Sequence, residues 1–369
     1  VAKKIRLVCT AAALVPLTVL AAACGSSSPS KPSGSSNTSA TTANSSGKSI
    51  SETGSSLLFP LFGAWQNAYS TTNTSVTITS GSTGSGTGIA DAANGLVNIG
   101  ASDAYLSSSD TQQFPNLINI PLTVAAVMVN YNLPTVKKPL DLNGTVLAKI
   151  YTGKITKWND PAIAALNKGV SLPAIPIVTL HRADSSGTTF LFTSFLNAQD
   201  PADWASGQVG TTVTWPTVSG SVAETGSGGM VTGCGSTKGC IAYIGISYES
   251  KTQAAGVGQA SLANKAGSFV QPTSASITAA LGSFPAVPAS GAQPLINTSA
   301  AAGYPIINYE YAVVDKKQGS AAEATAVKAF LNWIITSGND PKYLSAVGFE
   351  PLPSGTASVS TSLINSISG

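Results

Sequence analysis

Apolar residues at three- and four-residue spacing (Leu58, Leu61, Phe62, Trp65, Ala68 and Tyr69) predict an amphipathic helix opened by Gly54-Ser55-Ser56-Leu57-Leu58-Phe59-Pro60. Residues 75–79 alternate as a strand. A Gly/Ser run over 80–88 follows, and a helix is predicted over 89–96. The chain turns β-like again at Asn98-Ile99-Gly100 and then presents Ala101-Ser102-Asp103-Ala104-Tyr105. Residues 174–180 read as a buried strand. The hydroxyl-rich loop His181-Arg182-Ala183-Asp184-Ser185-Ser186-Gly187-Thr188-Thr189 follows it, and residues 190–196 read as the first turns of a helix. Near the end, residues 321–336 carry Val327, Phe330, Leu331, Ile334 and Ile335 on one helical face.

Two long, apolar, β-branched stretches, 117–132 and 304–314, flank a block with its own helices and strands. That arrangement predicts an α/β protein with a discontinuous first lobe, 49–130 and 303–369, and an inserted second lobe, 131–302. The two crossings, near 129–132 and 301–306, would form a two-strand hinge.

The first residues read as a processing signal. Lys3, Lys4 and Arg6 precede an apolar stretch over 7–23, broken by Pro16 and closed by Ala21-Ala22-Ala23-Cys24. A signal peptide is expected over 1–24, and Cys24 at its edge resembles the lipobox cysteine of bacterial lipoproteins. Residues 25–48 are nearly all Ser, Thr, Gly, Asn, Ala and Pro, too polar to build a core. They read as a disordered tether with a reach of roughly 25–30 Å. The expected location is extracytoplasmic, on the cell membrane through a lipid anchor.

Charged residues make up 9% of the chain and its net charge is +3, without basic runs. A nucleic-acid partner needs a basic face, so that class is excluded. With Cys9 and Cys24 set aside, Cys234 and Cys240 remain in a Gly-rich stretch, and in an exported protein they predict one small disulfide. A zinc site would need more ligands than His181, the single histidine, can add.

Enzyme signatures are missing. No Gly-x-Ser-x-Gly elbow surrounds any serine, Gly47-Lys48-Ser49 lacks the earlier glycine of a Walker loop, and Gly84-Ser85-Gly86-Thr87-Gly88 has the wrong dinucleotide spacing. His181, Asp184 and Ser186 lie too close in sequence for triad geometry. What remains is a set of Gly/Ser-rich helix starts. Their free N–H groups and positive dipole ends suit an anion held with few formal charges. Arg182 adds a planar fork for oxyanion oxygens.

Five motifs in order resemble the phosphate-binding protein of the bacterial phosphate-specific ABC importer. They are Gly54-Ser-Ser-Leu-Leu-Phe-Pro60, Gly84-Ser-Gly-Thr-Gly88, Gly100-Ala-Ser-Asp-Ala-Tyr-Leu106, Ile150-Tyr-Thr-Gly-Lys-Ile-Thr-Lys-Trp-Asn-Asp160 and His181-Arg-Ala-Asp-Ser-Ser-Gly-Thr188. The resemblance implies a two-lobed periplasmic-binding-protein fold with a ligand cleft between the lobes. It implies phosphate contacts from Leu57, Leu58 and Phe59, largely through backbone N–H, and from Ser85, Asp103, Arg182, Ser186, Gly187 and Thr188. Asp184 would orient Arg182. Leu58 stands where many relatives have a threonine, and Ser56 could supply the hydroxyl instead. The implied partners are inorganic phosphate and a membrane permease, with the protein a monomer, no enzyme, and without metal or cofactor. The alternatives are a binder of another oxyanion on the same fold and a phosphate-ester hydrolase.

Overall fold

The computed structural model describes residues 48–369. The expected signal segment, Cys24 and the tether except Lys48 lie outside the described residues. The chain opens with strand β1 (Lys48–Gly54), helix α1 (Phe59–Thr72), β2 (Val76–Thr79), α2 (Ser85–Ala93) and β3 (Ile99–Ser102). β1 pairs in parallel with β2 on one side and β3 on the other, as strand–helix–strand units require. Then come β4 (Leu117–Tyr131), β5 (Val178–Arg182), helix α3 (Gly187–Gln199), β6 (Val222–Glu224), α4 (Gly226–Ser236), β7 (Cys240–Gly245), β8 (Ile307–Asp315) and α5 (Ala321–Ile335). These strands lie in one sheet in the order β2-β1-β3-β8-β4-β7-β5-β6, and Gly258–Gln259 adds a short pairing to β4.

β4 joins the two halves of the molecule. Residues 117–126 pair with β8, and residues 127–131 pair with β7. A strand covered on both faces needs an unbroken apolar run, and 14 of its 15 positions are buried. The second crossing meets it at Val127, whose N–H donates to Ile306 O (3.0 Å) and whose carbonyl accepts from Tyr304 Oη (2.8 Å). Both expected crossings are therefore side by side.

The apolar face of α1 packs on α5. The Tyr69 and Phe62 rings lie 4.9 Å and 5.6 Å from Phe330. In the other half a separate aromatic group gathers Tyr151, Phe192, Tyr243 and Trp215. Cys234 and Cys240 form the expected disulfide, Cα–Cα 5.3 Å, tying α4 to the start of β7. Among the described residues no helix is long and apolar enough to cross a membrane.

Three sequence expectations shift. α2 begins at Ser85, four residues before the predicted start, because its glycines serve close packing and do not form a loop. A Cβ on Gly88 would stand 2.7 Å from Thr53 O and 2.8 Å from Ala101 O, so only glycine lets the first turn lie on β1 and β3. β5 begins only after Pro176 and runs on to Arg182, which places His181 and Arg182 in a strand paired with β6 and not in the loop. Past α5, a further helix, Ser354–Asn365, packs on β4, where Ser360 Oγ donates to Pro121 O (2.7 Å). Its buried stripe of Thr356, Ser360 and Ile364 is mostly polar, so apolar periodicity passes over it.

Candidate functional site

Three helix starts meet at one carboxylate. Asp103 follows β3 directly and is 2% exposed. Ser55, just before α1, donates its hydroxyl to Asp103 Oδ1 and accepts the Leu58 N–H (2.9 Å). Ser85, the first residue of α2, accepts the Asp103 N–H (3.2 Å). Thr188, in the first turn of α3, donates to Asp103 Oδ2 (2.7 Å). The last contact crosses between the halves, and Gly187 permits it: a Cβ there would stand 2.7 Å from both Asp103 Cβ and Ser85 Oγ. The earliest N–H groups of a helix have no intrahelical acceptor; those of Leu58 and Phe59 donate to Ser55 and that of Thr189 to Ser186, and the positive dipole ends of the three starts meet at one place.

A guanidinium stands opposite. The Arg182 side chain is 2% exposed and grips Asp184 with two donors, Nε to Oδ1 at 2.7 Å and Nη2 to Oδ2. The first amide of α4, Gly226 N, adds a third donor to Asp184 (3.0 Å). Burial works to raise the Asp184 proton affinity, but Arg182 and the Gly226 N–H outweigh it, and the carboxyl sits below its ordinary range. Tyr243 Oη holds this segment from beneath, accepting the Arg182 N–H (3.0 Å) and pairing with Thr189 Oγ1 (2.8 Å). At Asp103 the balance goes the other way. Burial dominates and raises its proton affinity, against the hydroxyls of Ser55 and Thr188 and the charge of Arg182.

The profile of the PBP superfamily domain matches residues 35–337. The phosphate-binding protein PstS of Methanocaldococcus jannaschii is 34% identical over 82% of this chain and 82% of its own. That of Haemophilus influenzae is 32% identical over 84% and 90%. The chain belongs to the PBP superfamily and, within it, to the PstS family. The crystal structure of a phosphate-binding protein from Stenotrophomonas maltophilia superposes with a TM-score of 0.66 over 85% of this chain and 93% of its own, at 22% identity. The two-lobed α/β fold expected from the motifs is the fold of this PstS-family chain.

Of the expected site residues, Ser85, Asp103, Gly187 and Thr188 come together directly, with Arg182 near enough for its charge to act on Asp103. Leu57 and Leu58 are buried at the start of α1, and Phe59 is its first helical residue. Ser186 caps α3, accepting the Thr189 N–H. Ser56 is engaged elsewhere. Its hydroxyl pairs with Ser227 Oγ (2.9 Å) and accepts the Ser227 N–H (3.1 Å) across the cleft. The hydroxyl beside Asp103 belongs instead to Ser55, which the sequence reading passed over. His181 lies face to face with Trp215, ring centroids 5.0 Å apart, and takes no part with Asp184 and Ser186.

Two further residues escaped the sequence reading. Asn308 in β8 reaches the Asp103 carbonyl (3.4 Å) and Glu310 Oε1 (2.8 Å). Glu310 is 0% exposed. The available signal was an acid inside an otherwise apolar, β-branched strand, where burial makes a lone carboxyl costly.

Proposed function

We propose that this PstS-family chain captures inorganic phosphate between its lobes and delivers it to the membrane permease of an ABC importer. The observation that carries the reading is Asp103 at the meeting point of three helix starts. An anion site built from N–H groups, hydroxyls and one guanidinium is common physics; a carboxylate within it selects among anions. Phosphate near neutral pH carries at least one P–OH that can donate to Asp103. Sulfate would face the carboxylate with lone pairs alone, which penalises it. The ligand contacts in this reading are Leu57, Leu58 and Phe59 through backbone N–H, Ser85, Asp103, Arg182, Ser186, Gly187 and Thr188, with Asp184 aiming Arg182.

In this reading the lobes are 49–130 with 303–369, and 131–302, and they close by bending near 129–132 and 301–306. The Ser56–Ser227 pair and the hydrogen bond from Gly86 N to Ser185 O (3.1 Å) support such closure, because each spans the two sets. The chain works as an extracytoplasmic monomer held at the membrane by lipid on Cys24.

Titration calorimetry against phosphate, arsenate, sulfate and molybdate tests the function. Phosphate should bind tightly and sulfate not at all. Tight sulfate or molybdate binding without phosphate binding would transfer the chain to another oxyanion. Release of phosphate from simple esters by the purified protein would establish the hydrolase alternative instead.

A further inference from the structure

Asn308 Nδ2 bridges Glu310 Oε1 (2.8 Å) and the Asp103 carbonyl (3.4 Å), and the two carboxyls are near enough to act on each other. The Glu310 Oε2 is buried and has no partner as an acceptor. Two ionised carboxylates in contact beside a bound anion would repel both each other and the ligand. A proton on Oε2 removes both problems, because the orphaned oxygen becomes a donor to Asp103.

The surroundings decide which of the pair keeps the proton. Asp103 receives two hydroxyl donors and feels the Arg182 charge, all of which favour its ionised form. Glu310 has one neutral amide donor, and the Ser55 hydroxyl influences it less than burial and the Asp103 charge do. The other titratable groups facing the pair are the phenols of Tyr105, Tyr309 and Tyr311, whose burial raises their proton affinity and keeps them neutral. Burial and the Asp103 charge together hold the Glu310 proton well above the usual carboxyl range.

We infer that Glu310 is a second specificity-determining residue. As a neutral carboxylic acid it donates to Asp103, and so keeps Asp103 ionised and able to accept only from a ligand oxygen that carries a proton. A carboxylate offers about four lone-pair directions. Ser55, Thr188 and Glu310 occupy three, and one remains for the ligand. Without the Glu310 donor, Asp103 would itself take up a proton more readily, become a donor, and lose its discrimination against fully deprotonated anions. This inference rests on the proposed function, since it deepens the role of Asp103 there.

The test compares wild type with Glu310→Gln, which keeps a donor that cannot ionise, and Glu310→Leu, which removes it. Near pH 6.5, phosphate affinity of the Gln variant should stay within about threefold of wild type. As the pH is raised into the alkaline range, wild type should lose at least about tenfold relative to the Gln variant over the range in which Glu310 ionises. The Leu variant, folded by near-ultraviolet circular dichroism, should bind sulfate in competition calorimetry. Identical pH profiles for wild type and Gln, with an unchanged sulfate preference in Leu, overturn the assignment. The infrared carbonyl band of a neutral carboxylic acid supplies a ligand-free readout: wild type at pH 7.5 should show one that Glu310→Gln lacks. A wild type that binds no phosphate overturns the proposed function and the specificity role with it, while the band separately decides the proton. A wild type that binds phosphate but loses no band on mutation overturns the Glu310 inference alone.

Discussion

Two carboxylates, the buried Asp103 and the partly exposed Asp184, have opposite surroundings. Asp184 has a guanidinium on two of its edges and a helix N–H on a third, so its charge is fully answered. Asp103 has hydroxyls, an amide-bearing neighbour and another carboxyl. The first arrangement fixes a donor, because Asp184 holds the Arg182 fork in one plane. The second fixes an acceptor, because among the described residues Arg182 is the positive charge that acts on Asp103. In the proposed function a phosphate carrying a P–OH needs both kinds of partner, and the two proposed lobes supply one each.

Breaking the donor side has the largest expected effect. Arg182→Ala removes a charge-assisted fork and leaves Asp184 as a negative charge answered by the Gly226 N–H alone. Truncating one member of a buried charged pair costs roughly 2–5 kcal/mol, or about 30- to 5,000-fold in affinity. Calorimetry with phosphate on a mutant of unchanged circular dichroism checks this. A loss below about tenfold would mean that Arg182 serves only its ion pair with Asp184.

Breaking the acceptor side should alter selectivity more than strength. Asp103→Asn places an amide where the carboxylate stood, and the amide can donate to an oxygen that has no proton. Sulfate should then bind measurably, while phosphate affinity changes modestly. Competition calorimetry decides it, and an unaltered preference for phosphate over sulfate would reduce Asp103 to a turn residue.

Much of this asymmetry is legible in the amino-acid sequence, and part of it is not. The apolar spacing of α1 and α5 and the unbroken run of β4 follow from local periodicity, so they were legible. Helix starts and Arg182 were legible because Gly, Ser and Arg carry their chemistry with them. Ser55 and Ser56 are adjacent hydroxyls, and only the backbone geometry at the start of α1 sends one to Asp103 and the other to Ser227. Glu310 meets Asp103 through the antiparallel pairing of β8 with β3, a contact between segments two hundred residues apart. Long-range register of that kind leaves no mark on either segment alone.

The start of α4 connects the two sides and gives a smaller prediction. Gly226 N donates to Asp184, and the next amide, Ser227 N, donates across the cleft to Ser56. Ser56→Ala leaves that buried N–H without its acceptor when the lobes close. The loss of one such bond is worth about 1–3 kcal/mol, so phosphate affinity should fall about 5- to 150-fold, mainly through faster release. Stopped-flow dissociation checks this, and an unchanged release rate would show that closure does not depend on the pair.

Another buried carboxyl sharpens the comparison, because it has neither kind of surrounding. Glu52 in β1 is 4% exposed, and neither of its oxygens makes a hydrogen bond. Burial, opposed by the nearby Gly81 amide, pushes its proton affinity up to about 8. The sign follows from linkage. A carboxyl that is protonated more readily folded than unfolded stabilises the fold fully below its ordinary value of 4.5, and that contribution is lost as pH rises through about 8. Between those values wild-type stability should fall by up to about 1.4 kcal/mol per pH unit from this group. Glu52→Gln should flatten that slope and make the variant the more stable protein at pH 8.5, with phosphate affinity unchanged because Glu52 lies outside the proposed contacts. Urea unfolding at a series of pH values on both proteins gives the slopes. If they coincide, burial alone does not hold a proton in this lobe, and the contrast between Asp103 and Asp184 must rest on the partners of each carboxylate.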